Sequence, residues 1–347
     1  MKTALITTTI RVPHVLALYR EYAGPGVRFF VAGDMKAPHQ GIIELLREIG
    51  NAEYTTDITT HPYAPLNSTC RRNIALLAAL RWGADVIISI DDDNFGIDSD
   101  YFINFGTLFQ RWDRPDTHRP WHGLQVTTKN GWVDPGFFLL PQYSHRGFPH
   151  EKRNAAPVLR SITDAKVGVA AGLWLGNPDI DAITRLNATP LIPHVHGIQE
   201  VLRAGIVVDP KQTWTVFNSQ NTAFVRELAP AMMMLPGVGR HEDIWASLIT
   251  QRVMRELGYV THFGLPLVYQ ERNPHDLHDD LAAETFGMRH TLDFAAWLDG
   301  LSCSGWPTAS VVQILSDIYA AMRDLPWMPP QVREAGLAWC DDVEKVL

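Results

Sequence analysis

Apolar and polar positions alternate in two rhythms along the first hundred residues. Short runs at Ala4–Thr8, Val27–Ala32 and Val86–Ile90 read as strands, the last β-branched at nearly every position and buried. Between them, apolar residues recur at helical spacing. Leu16, Leu18 and Tyr19 mark a helix over Val15–Tyr22, and Ile42, Leu45, Leu46 and Ile49 mark one over Gly41–Ile49. Asn67-Ser68-Thr69 offers an N-cap for a helix that runs through Leu80 and stops at Gly83. This strand–helix alternation predicts a parallel sheet with right-handed crossovers.

The rhythm changes after about residue 122. Strand patterns at Gly123–Thr128, Trp132–Leu140 and Lys166–Gly172 lie among many Pro and Gly. Helical spacing returns over Asp243–Leu257, and a strand follows over Tyr259–Gln270. The remainder from His290 reads as helix, broken at Pro307 and around Pro326, Pro329 and Pro330. The expected organisation is a donor half over residues 1–122, an acceptor half of the same domain over 123–289, and a helical extension over 290–347.

Asp91-Asp92-Asp93-Asn94 directly follows the apolar run Val86–Ile90. In an open α/β sheet the C-terminal strand ends form the ligand crevice. Adjacent carboxylates repel one another unless a cation joins them. Asp91 and Asp93 are therefore expected to hold Mn²⁺ or Mg²⁺, which would also meet a diphosphate, with Asp92 on the ribose or behind the metal. The alternative is an acidic turn that caps the next helix.

Other polar groups sit where the same crevice would collect them. Thr8 ends the first strand and Asp34 follows the second; they suit a nucleobase and ribose, or simply a turn. Arg71 and Arg72 open the helix before the acidic strand, suiting a phosphate or a surface ion pair, with Arg71 expected at the diphosphate. Glu242 and Asp243 open a helix, either complementing its dipole or acting as a base. Arg272 and His275 follow the last strand; Arg272 suits the diphosphate, and His275 is a third metal ligand or a loop residue. A net charge of −8 without a basic block argues against a nucleic-acid partner. The three cysteines have no pairing pattern and suggest the cytoplasm. No apolar run is long enough to span a membrane, and the N-terminus reads as a strand.

Several segments, taken in order, resemble one family. They are Ile90-Asp91-Asp92-Asp93-Asn94-Phe95, Arg146-Gly147-Phe148-Pro149, Gly172-Leu173-Trp174-Leu175 through Pro178-Asp179-Ile180-Asp181-Ala182, Asn221-Thr222-Ala223-Phe224, and Gly239-Arg240-His241-Glu242-Asp243-Ile244-Trp245-Ala246. Together they are similar to the reversibly glycosylated polypeptides, the UDP-arabinopyranose mutases of plants, and more broadly to GT-A glycosyltransferases. The resemblance implies a GT-A (Rossmann-like) mixed α/β sheet with flanking helices, a UDP-sugar donor and a divalent metal. It also implies that Arg146 matches the arginine that carries a reversibly attached sugar. Asn94 stands where the plant proteins have Cys, and His241-Glu242 where they have Tyr-Asp. The Glu242-Asp243 pair resembles the base motif of inverting transferases. The expected activity is transfer of a sugar from a nucleotide donor to a hydroxyl-bearing acceptor. The alternatives are a pyranose–furanose mutase using Arg146 and, more remotely, an Asp-based phosphohydrolase. A homo-oligomer is also expected from the family.

Overall fold

The computed structural model describes residues 1–56, 59–109, 119–139, 143–177, 179–187 and 200–347. One mixed sheet organises the chain. Its strands are β1 (Thr3–Thr8), β2 (Val27–Ala32), β3 (Ala52–Thr55), β4 (Val86–Ile90), β5 (Asn94–Gly96), β6 (Trp121–Thr128), β8 (Pro157–Ala165), β9 (Val167–Gly176), β10 (Ile206–Val208), β12 (Asn221–Val225) and β13 (Val260–Gln270). A separate parallel pair joins β7 (Trp132–Val133) to β11 (Trp214–Thr215). The helices are α1 (Val15–Tyr22), α2 (His39–Ile49), α3 (Arg72–Trp82), α4 (Tyr101–Phe109), α5 (Ala182–Asn187), α6 (Glu200–Ala204), α7 (Glu242–Leu257), α8 (Leu277–Gly300), α9 (Val311–Ala321) and α10 (Pro330–Glu344).

Strand order is β3-β2-β1-β4-β12-β9-β13-β10-β6-β8, with β5 paired to β13. The first four strands are parallel. At β12 the sheet turns antiparallel on both sides. The parallel half follows from β-branched runs such as Val86–Ile90, buried at every position. The chain leaves β1 toward β2 and returns to its other side at β4. This reversal opens a crevice beyond the C-terminal ends of β1 and β4.

Helix α3 packs against β1 and β2 and brings Arg72 to the crevice. Its residues Arg72–Leu80 are all buried, and Gly83 closes it in the left-handed conformation. Ser68 accepts a hydrogen bond from the Cys70 N–H and starts the 3₁₀ turn that feeds α3.

Three expectations need adjusting. The strand expected over Trp132–Leu140 ends at Val133, because Asp134 caps a 3₁₀ turn over Pro135–Phe138; Leu140 lies outside the described residues. Helix begins at Leu277 rather than His290, capped by the Asp276 carboxylate on the His278 N–H at 2.8 Å. A long strand, β8, stands at the sheet edge where no pattern pointed to one. Among the described residues no helix is long and apolar enough to cross a membrane.

Candidate active site

A cleft of about 600 Å³ opens at the crevice. Its floor carries Thr8 and Thr9 from the end of β1, Asp34 after β2, and Asp91, Asp92 and Asp93 after β4. Much of the remaining lining comes from residues more than fifty positions further on: Arg146, Asp179, Arg240, Glu242, Asp243, Arg272 and His275.

The carboxylates of the floor are unevenly satisfied. Asp91 is paired with the Arg72 guanidinium, which also donates to the Ser219 hydroxyl at 2.7 Å. Asp92 accepts from the Thr9 hydroxyl, and burial pushes its carboxyl above the usual range. Burial and then the charges of Asp91 and Asp92 push Asp93 up to about 7. Its Oδ1 is buried and accepts no hydrogen bond. The floor thus has more negative charge than the described cations neutralise.

These features fit a divalent ion. The ligand atoms are hard oxygens, and one is buried without a donor. Among the described residues no group of three His, Cys, Asp or Glu side chains closes around a metal by itself. That suits an ion completed by diphosphate oxygens and water. His275 stands on the rim with Nδ1 3.0 Å from Asp280 Oδ1, which leaves Nε2 as its only nitrogen for an ion.

Two expected donor-site groups are engaged by the backbone. The Asp34 carboxylate accepts from the N–H groups of Met35 (2.6 Å) and Ser68 (3.1 Å), tying the end of β2 to the turn before α3. The Thr8 hydroxyl donates to the Ala32 carbonyl at 2.9 Å. Both still border the cleft.

Arg71 lies elsewhere and needs correcting. Its side chain is fully buried and donates to the carbonyls of Gly33, Thr59 and Ala64. One residue along a helical turn rotates a side chain by roughly 100°. Arg72, the next residue, is the cation that this turn presents to the cleft.

The far wall is one buried ion network. Arg146 Nε donates to Asp179 at 2.8 Å, and its Nη1 and Nη2 meet the two oxygens of Asp243 at 3.0 and 3.1 Å. Nη1 also donates to the Arg240 carbonyl. Gly147, at φ +79°, makes this possible: a Cβ there would lie 2.4 Å from Ile244 Cγ2. Behind this layer, Arg240 reaches Glu284 and Asp280, and Arg272 reaches Asp280, each at 3.1 Å. Asp280 and Glu284 are buried on one side of α8.

The two carboxyls that open α7 are tuned apart. Burial pushes Asp243 up, but the Arg146 charge and hydrogen bonds outweigh it and hold the carboxyl below the usual range. Ser219 also donates to Asp243 from its N–H (3.0 Å) and hydroxyl (3.2 Å). Glu242 is raised, chiefly by burial, although the Thr69 hydroxyl bonds to it. Carboxyls pushed apart in this way identify the better proton acceptor, here Glu242.

Sequence reasoning named Arg72 beside Arg71 but assigned the diphosphate to Arg71, and it gave no role to Arg240, Asp179, Asp280, Glu284 and Gln270. Asp280 and Glu284 had a signal: they continue the stripe of Gly287, Thr291, Phe294 and Leu298 that α8 buries. Pro178, inside the resemblance, lies outside the described residues.

The fold and cleft define an α/β protein with an acidic, cation-walled crevice at the reversal of its sheet. The model of the family described as reversibly glycosylated polypeptide matches residues 145–324, over half of the chain. The chain belongs to that family. A probable UDP-arabinopyranose mutase 1 of Solanum tuberosum is 33% identical over 133 residues, 37% of this chain and 32% of the relative. UDP-arabinopyranose mutase 3 of Arabidopsis thaliana is 33% identical over 133 residues, 37% of this chain and 33% of the relative. The match spans about a third of the length of these relatives. Among solved structures, glucosyl-3-phosphoglycerate synthase from Mycobacterium tuberculosis aligns at a TM-score of 0.43 and 13% identity, over 88% of this chain and 82% of that one. A mannosyltransferase from Pyrobaculum calidifontis in complex with GDP-Man and Mn²⁺ aligns at 0.36 and 12%, over 99% and 86%.

Proposed function

We propose that this chain is a metal-assisted, GT-A-type enzyme acting on a nucleoside diphosphate sugar, and that it moves the sugar to a hydroxyl acceptor. The observation that carries this reading is the gathering of two unlike sets of carboxyls in one cleft. An undercompensated aspartate floor shares the cleft with Glu242, a carboxyl that burial raises above the usual glutamate range. Asp91 and Asp93 would hold Mn²⁺ or Mg²⁺, with Asp92 supporting them and His275 Nε2 available as a further ligand. A bound divalent ion neutralises charge that develops on a departing nucleotide. Arg72 and Arg272 complement the diphosphate. Thr8 and Asp34 border the nucleoside, and the names of the relatives favour uridine. Glu242 takes the acceptor proton, and Asp243 holds Arg146 in place. Three free cysteines fit a cytoplasmic setting.

A second reading is a UDP-sugar mutase, favoured by the family and by the names of the relatives. One experiment separates the two. The protein is incubated with a panel of UDP-sugars and Mn²⁺, without and with candidate acceptors, and products are resolved by chromatography. Acceptor-dependent UDP release supports transfer. Ring-size interconversion without net UDP release means the mutase. If thermal midpoints stay unmoved across all nucleotide diphosphates with Mn²⁺, the donor site is wrong, because ligand at about 100 times its Kd should add roughly 2.7 kcal/mol.

A further inference from the structure

Every arginine that lines the cleft already has a carboxylate partner. Arg72 pairs with Asp91, Arg146 with Asp179 and Asp243, Arg240 with Asp280 and Glu284, and Arg272 with Asp280. Lys36 also lines the cleft and is exposed. Among the described lining residues it is the one full cation without a carboxylate partner. The backbone beneath it is fixed. The Asp34 carbonyl accepts from the Ala37 N–H at 2.9 Å, closing a turn over residues 34–37, and the Asp34 carboxylate accepts from the Met35 N–H at 2.6 Å. Asp34 and Ala37 are buried at the two ends of this turn, and Met35 and Lys36 are exposed at its tip. Asp at the first position of a turn, bonded to the backbone that follows, holds the tip without help from the side chains there. Replacing Lys36 therefore removes a charge and leaves the turn in place.

On the nucleotide reading of the cleft, Thr8 and Asp34 border the nucleoside and the aspartate triplet takes the metal. The phosphate attached to the ribose lies between those two ends. It is the anionic group of the ligand closest to the nucleoside, and Lys36 follows Asp34 by two residues. A lysine carries a compact charge on a flexible four-carbon stem, and it meets phosphate oxygens as a point charge. We infer that Lys36 binds the phosphate next to the nucleoside, a contact that needs no divalent ion. The inference rests on the nucleotide reading and extends it to a phosphate contact apart from the metal and from the paired arginines.

The test uses the full chain, without and with Mn²⁺, and titration calorimetry of uridine, UMP, guanosine and GMP. The quantity read is the affinity ratio of a monophosphate to its nucleoside, in which any repulsion from the aspartate floor is common to all variants. Lys36→Met should lower that ratio about tenfold, the size of one hydrogen bond to a charged group. Lys36→Arg should keep the wild-type ratio, and both variants should melt with wild type. Lys129→Met, the same charge loss at an exposed position outside the cleft, should also keep it. Rising salt should lower the ratio in wild type more than in Lys36→Met, because an exposed charge is screened. An unchanged ratio in Lys36→Met overturns the inference, and so does wild type that binds a monophosphate only when Mn²⁺ is present. If UDP or GDP with Mn²⁺ binds wild type while Lys36→Met keeps the full ratio, the lysine is wrong and the cleft reading stands. If wild type binds none of these nucleotides, with or without Mn²⁺, the cleft reading itself has failed.

Discussion

All three guanidinium nitrogens of Arg146 face oxygen: Asp179, Asp243 and the Arg240 carbonyl. Burial alone would lower its pKa, but the carboxylates outweigh burial and hold the group charged. A protonated guanidinium has no lone pair to attack an anomeric carbon. After incubation with a UDP-sugar, intact mass spectrometry should therefore show no sugar on Arg146; a sugar adduct that Arg146→Lys removes would contradict this. Arg146→Ala leaves two buried carboxylates without their cation and should cost about 3–5 kcal/mol in denaturant unfolding. The same ion pairs set acid stability. Asp179 and Asp243 are depressed in the folded state, so their stabilisation is present above the ordinary aspartate range and is lost as pH falls from there through their depressed values. Glu242 behaves in the opposite sense. Its carboxyl is raised, so as a base it gains activity as pH rises through a value above the usual glutamate range. Glu242→Gln should lower kcat about 10²–10⁴-fold and remove that limb from the pH–rate profile. A profile unchanged in Glu242→Gln assigns the base elsewhere.

At the scale of elements, the start of α7 is set by its contact with α8. His241 is fully buried between them, and neither ring nitrogen has a hydrogen-bond partner. Burial and then the Arg146 charge keep the imidazole neutral, with its pKa lowered to about 3. A Cβ on Gly287 would fall 2.0 Å from His241 Cγ, so only glycine allows this approach. Gly287→Ala should therefore cost about 1–3 kcal/mol and should disturb Glu242, which follows His241 directly. In a His241→Ala background the cost should largely vanish, a coupling that a double-mutant cycle of thermal or denaturant unfolding measures. Additive effects would mean the two residues do not clash. Element legibility followed burial. Val15–Tyr22 and Val27–Ala32 were readable to the residue, because each presents a clean apolar pattern to the core. β8 was not: most of its residues face solvent, and Val158 and Leu159 are each 39% exposed. No periodicity of burial marks such an edge strand.

For the whole molecule, what stayed hidden in the sequence was long-range pairing. The triplet was visible because three carboxylates end a buried strand. Its partners were not, since Asp93 meets Asn273 across 180 positions and Arg72 differs from Arg71 only in helical phase. The tail poses the same question at larger scale, because a Pro-broken helical segment reads equally as an interface or as a cover. Its apolar faces are already covered by the chain itself. α9 buries Val311, Ile314, Leu315 and Ile318, and α10 buries Val332, Ala335, Trp339 and Val343. The Trp339 indole N–H donates to the Pro230 carbonyl at 2.8 Å, and its ring lies 5.2 Å from that of Tyr63. Tyr63 in turn donates to Asp342 at 2.8 Å, joining the tail to the loop that leads into α3. Trp339→Ala should thus cost about 3–5 kcal/mol in a single unfolding transition, read identically by fluorescence and circular dichroism. Trp339→Phe should lose little beyond the hydrogen bond, about 0.5–1.5 kcal/mol. Removing residues 330–347 should lower the unfolding midpoint without changing the oligomeric state seen by light scattering. A truncated protein that keeps its midpoint but changes its assembly would make the tail an interface instead.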